Sequence, residues 1–154
     1  MEPIEVTSYV LHALFAGLWT GAVIFVTLGV LPVARDGDMN AAPLRTIAQS
    51  LVRLSRLSAV ILFITGSHMA AAVHTGDSLT GTTGGHLVLV MLALWAVLIG
   101  MVEVGTGKLR SGTTRDKVRE PAREAWRFYF IASLTAVSLL VVSGLLSARS
   151  SGFL

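Results

Sequence analysis

The chain predicts an all-α fold, an integral membrane antiparallel four-helix bundle with both termini outside. Three observations predict it. The 154 residues are 53% hydrophobic and only 14% charged, where soluble domains carry about a quarter charged residues. The apolar excess is gathered into four uncharged stretches, Val6 to Ala34, Leu57 to Gly76, Ser78 to Val102 and Phe128 to Ala148. Each supplies the roughly 20 apolar residues that cross about 30 Å of hydrocarbon. Finally, the stretches lack the alternation of barrel strands, and backbone in a bilayer must satisfy its own hydrogen bonds, so they read as helices.

Span one covers about residues 7–31 and is expected to end at Pro32. Beyond it, Pro43 sits where a first helical turn tolerates proline, and Leu44, Ile47, Leu51 and Leu54 repeat at helical spacing. This predicts either a helix along the membrane surface or an extension of span two, which covers about 57–75. The next connection, Thr75 to Gly85, is rich in Gly, Ser and Thr and reads as irregular. Span three covers about 86–105. Glu120-Pro121 marks a helix start feeding span four at about 128–148, with Trp126 and Tyr129 expected at the headgroup boundary.

Charge placement sets the expected orientation. Eleven of the twelve Lys and Arg residues fall in the first and third connections, and short cytoplasmic loops collect such residues. The formal charge of +3 is therefore a topology signal for a multi-pass protein of the cytoplasmic membrane, with no nucleic-acid partner expected and a secondary role in holding anionic headgroups. The first stretch begins acidic, is long, and lacks a small-residue cleavage pattern, so it reads as a retained helix. With no cysteine, thiolate metal sites and disulfides are excluded.

The residues able to carry chemistry are few. The topology puts all four histidines, His12, His68, His74 and His86, in the outer half. At about 1.5 Å rise per residue, His12 lies roughly 5 Å below Tyr9 and His68 about 10 Å below Thr75, so the two share a level. Ionisable side chains in membrane helices usually face the bundle interior and mark function, and neutral imidazole is a common metal ligand. His12, Phe15, Ala16, Trp19 and Val23 share one face of span one. On span two, His68 shares a face with Ile61, Ile64, Thr65, Ala71, Ala72 and Thr75, a wall suited to a flat macrocycle. His74 and His86 read either as ligands or as solvated interface residues. Gly17 and Gly21 form a Gly-x-x-x-Gly pattern for close approach of another helix, in this bundle, a homo-oligomer or a larger membrane complex. No phosphate-binding loop, nucleophile triad or carboxylate pair is present, so no catalytic residue is assigned.

His12-x6-Trp19-x-Gly21 with the apolar run to Leu31-Pro32, then Arg53 to Ser58, Thr65-Gly66, and Thr83-Gly84-Gly85-His86 running to Met91, resembles the CopD family of copper-resistance membrane proteins over about Tyr9 to Arg110. Similar features occur in HemJ-type membrane proteins, which bind haem b through a first-helix histidine. HemJ-like proteins carry a lysine in the third helix, where this chain has Met91 and no basic residue between His86 and Glu103. The resemblance thus implies haem b held by His12 and His68 with Trp19 lining the pocket, and a cytochrome-like electron-transfer role. The alternatives are copper binding or transport through His12, His68, His74 and His86, and an accessory subunit packing through Gly17 and Gly21.

Overall fold

The computed structural model describes Pro3–Ser150 and is helical throughout apart from short turns. In chain order the elements are α1 (Pro3–Phe25), a π-helical turn (Val26–Val30), α2 (Leu31–Asp36), α3 (Ala41–Val73), α4 (Gly76–Gly81), α5 (Thr83–Thr113) and α6 (Arg119–Ser150). Among the described residues four helical runs are long and apolar enough to cross a membrane: Pro3–Asp36, Ala41–Val73, Thr83–Thr113 and Arg119–Arg149.

These runs pack antiparallel. Thr106, Lys108 and Gly112 on α5 meet Tyr129, Glu124 and Pro121 on α6, so one helix descends as the other climbs. Arg56 and Phe63 of α3 meet Glu103 and Trp95 of α5 in the same opposed order. Pro3 and Ser150 consequently share one end of the bundle, the termini end, and the connections 37–40 and 114–118 share the other, the basic end.

The helices outrun the expected spans, and Pro32 does not stop the first. Proline lacks an N–H and crowds the carbonyl four residues back, here that of Leu28. Leu28 lies within the π-helical turn, where the Leu31 N–H reaches back to the Val26 carbonyl, five residues away. The widened turn admits the proline and the helix continues. It ends at Gly37, whose φ of 87° is left-handed. The Asp38 N–H then bonds the Val33 carbonyl at 3.1 Å, closing the helix end. A Cβ at Gly37 would also meet the Arg119 guanidinium, which would have to move aside; the left-handed backbone is what favours glycine there.

The helix begun near Pro43 runs unbroken into the second span as α3. The connection expected to be irregular contains α4, and Thr82 caps α5 by accepting the Gly85 N–H at 3.1 Å. Tyr129, expected at the headgroup boundary, is instead fully buried, its hydroxyl 2.9 Å from that of Thr106. Gly105 makes this packing available, since a Cβ there would come 2.8 Å from the Tyr129 ring. Trp126 stays half-buried, with the Arg35 guanidinium 4.9 Å from its ring centroid.

The core sits towards the basic end. Val23, Val30, Leu31 and Ala34 pack with Leu44 and Ala48, Val102 and Leu109, and Ala122, Ala125 and Ala132. A polar knot ties it across helices: Thr27 Oγ1 lies 2.8 Å from the Val23 carbonyl and 3.1 Å from that of Tyr129, and accepts from Ser133 Oγ at 2.8 Å. Such interhelical bonds contribute about 0.6 kcal/mol each in lipid, up to about 1.7.

Candidate functional site: a cavity at the termini end

Towards the other end the four long helices part around a cavity of about 600 Å³, within the roughly 300–1,000 Å³ range of small-molecule sites. Tyr9, His12, Ala16, Trp19 and Thr20 supply the α1 wall, and Leu62, Phe63, Gly66, Met69, Ala70 and Val73 the α3 wall. Val88, Met91, Leu92, Trp95 and Leu98 of α5, with Leu139, Leu140, Ser143 and Leu146 of α6, complete it. From Leu62 to His74 the α3 wall is about 18 Å tall at 1.5 Å per residue. Among the described lining residues none is Asp or Glu, whereas His12, His74 and Arg149 are present.

His12 is half-buried and turned towards α3. Its Nδ1 lies 2.9 Å from Thr65 Oγ1, and Thr65 Oγ1 lies 2.7 Å from the Ile61 carbonyl oxygen of its own helix. The imidazole rests against Gly66, where a Cβ would come 3.1 Å from Cε1. A helical residue with no side chain therefore makes the room that this ring occupies. Trp19 sits deeper, fully buried, and its indole Nε1 has no hydrogen-bond partner among the described residues. Trp95 reaches across to donate to the Ala59 carbonyl at 3.3 Å and packs on Phe63 with ring centroids 5.4 Å apart.

The other histidines are placed differently from one another. His68 is exposed and does not line the cavity. By 100° per residue it lies some 60° around α3 from Thr65, on the side away from Gly66 and Met69. His74 does line the cavity: α3 ends at Val73, the extended His74 follows, and its ring lies on Gly84, where a Cβ would come 3.2 Å from Cε1. Eight residues separate it from Gly66, about 12 Å along the helix axis. His86 is exposed and donates Nε2–H to the Thr80 carbonyl at 2.8 Å. Among the described residues no three His, Asp or Glu side chains gather into a group able to hold a metal ion.

The structure thus joins His12 and Trp19 in one cavity, adds His74, Met69 and Met91 to it, and leaves His68 and His86 outside. The sequence places Thr65 on the His68 face and gives no sign that it bonds His12. The Thr65-Gly66 dipeptide sets an acceptor beside a gap, but only the packing aims it at His12. Among the described residues nothing lies within 4 Å of where a Cβ would stand on Gly17 or Gly21, so no described residue packs against them there. No protein-family model, no curated protein and no solved structure matches this chain.

Proposed function

We propose that this chain is a multi-pass protein of the cytoplasmic membrane, basic end inside and both termini outside, that binds haem b in its outer cavity for electron transfer. The observation that carries the reading is His12: an imidazole anchored through Nδ1, with no described residue bonding Nε2, on the wall of an apolar space large enough for a flat macrocycle. His12 would hold the iron through Nε2. Trp19, Trp95 and Phe63 would pack against the ring system, and Arg149 and His74 would neutralise its carboxylates. His68 lies outside the cavity, so the reading rests on His12 rather than on a His12 and His68 pair.

When bound, haem supplies one-electron chemistry whose potential depends on axial ligand and burial. The chain's own part would be to orient His12 and to surround the ring system with the apolar side chains of α5 and α6. The test is an absorption spectrum of purified protein produced with ample haem, oxidised and then reduced. A Soret band that sharpens on reduction, with α and β bands, supports the reading; a colourless protein removes it.

Copper(I) is the second reading, and Met69 and Met91 favour it, since both soft thioethers line the same cavity as His12. Copper recovered with the purified protein in the absence of haem would put it first. An accessory role, with the Gly17 and Gly21 face against a second copy or a larger complex, would instead appear as a stable co-purifying partner and no cofactor.

A further inference from the structure

We infer that Thr65 is a positioning residue that fixes the tautomer of His12, holding the proton on Nδ1 and presenting the Nε2 lone pair to the cavity. Three groups, His12, Thr65 and the Ile61 carbonyl, share the available protons along one chain. A threonine hydroxyl has one proton. The 2.7 Å separation of Thr65 Oγ1 from the Ile61 carbonyl oxygen is a hydrogen bond only if that proton lies between the two oxygens, because a carbonyl cannot donate. The second carbonyl near Oγ1, that of Leu62 at 3.4 Å, is also only an acceptor. Oγ1 must therefore accept from His12, and Nδ1 at 2.9 Å must carry a hydrogen.

The opposite tautomer would have Nδ1 accept the hydroxyl proton, leaving two oxygens 2.7 Å apart with nothing between them. In a low-dielectric interior such an unpaired contact is costly. A neutral imidazole with Nδ1 protonated has its lone pair on Nε2. Gly66 completes the arrangement: a Cβ there would stand 3.1 Å from Cε1, so the ring in its present seat would have to give by a few tenths of an ångström. The pair spans two helices, so the bond that selects the tautomer also joins α1 to α3. Outer partners of this kind typically change metal affinity by about 10- to 100-fold when removed.

That this lone pair faces a metal rests on the haem reading; the tautomer does not. The experiment therefore begins without cofactor. Full-length apoprotein labelled with 15N-histidine, at a pH well above the range of imidazole titration, is compared as wild type, Thr65→Val, Thr65→Ser and His12→Ala by two-bond 1H–15N correlation. The His12→Ala spectrum assigns the ring. Wild type and Thr65→Ser should show the Nδ1–H tautomer, and Thr65→Val should shift His12 towards Nε2–H or a mixture while the other three histidine signals stay in place. An Nε2–H ring in wild type, or a Thr65→Val spectrum identical to wild type, overturns the inference. Haem titration of the same samples is the second arm, with about 10- to 100-fold weaker binding expected for Thr65→Val and recovery in Thr65→Ser. If wild type shows the Nδ1–H tautomer and binds no haem, the haem reading fails and the role of Thr65 stands.

Discussion

The two ends of this bundle are built to opposite specifications. At the basic end, small residues bring helices together until little space remains: Ala122, Ala125 and Ala132 of α6 are fully buried, and Gly105 and Gly112 of α5 touch Tyr129 and Pro121. At the termini end the same four helices separate around about 600 Å³, and small residues such as Gly66 and Gly84 serve imidazole rings instead of neighbouring backbones. One end holds the helices in register. The other encloses a cavity. In lipid this division matters more than in water, because helix association depends on packing and hydrogen bonds and not on removing apolar surface from water.

Overfilling the tight end should produce the largest effect. A Cβ at Gly112 would collide with the Pro121 ring, so Gly112→Leu should prevent recovery of a monodisperse folded protein in detergent, whereas Gly144→Ala, with open space around it, should behave as wild type. Normal thermal unfolding of Gly112→Leu would show that the basic end is not closely packed. Filling the open end should do the converse. Ala16→Phe, which projects into the cavity wall, should leave the unfolding temperature within a few degrees of wild type while abolishing haem binding. Retained binding would place the ligand elsewhere. The smallest effect sharpens the energetics: Tyr129→Phe deletes the bond to Thr106 and should destabilise by about 0.6 kcal/mol, at most about 1.7. A loss of several kcal/mol in reversible unfolding would mean that the Tyr129 hydroxyl anchors more than one helix pair.

The four long helices were readable because hydropathy and charge are properties of a segment, and a run such as Leu87 to Val102 has one reading in lipid. Rotation of each helix was not readable, for a physical reason. In a membrane the lipid-facing and core-facing sides are both apolar, so periodicity does not say which side of α3 faces inward. His68 and Thr65 lie only about 60° apart on that helix, yet Thr65 meets His12 and His68 is exposed. Tyr129 shows the same limit along the axis. An aromatic near a span boundary reads as an interfacial anchor, and only the partner glycine, Gly105, reveals a buried seat. Pro32 was read by a rule that holds for regular α-helix, and the π-helical turn before it removes the clash on which that rule depends.

We propose the open end as a cofactor site organised around His12. Haem titration of purified His12→Ala and His68→Ala, side by side with wild type, tests it most directly, because the two substitutions remove the same group from residues that the fold treats oppositely. The account predicts that His68→Ala binds like wild type and His12→Ala loses the bound-haem spectrum. Loss of binding in His68→Ala with retention in His12→Ala would contradict it.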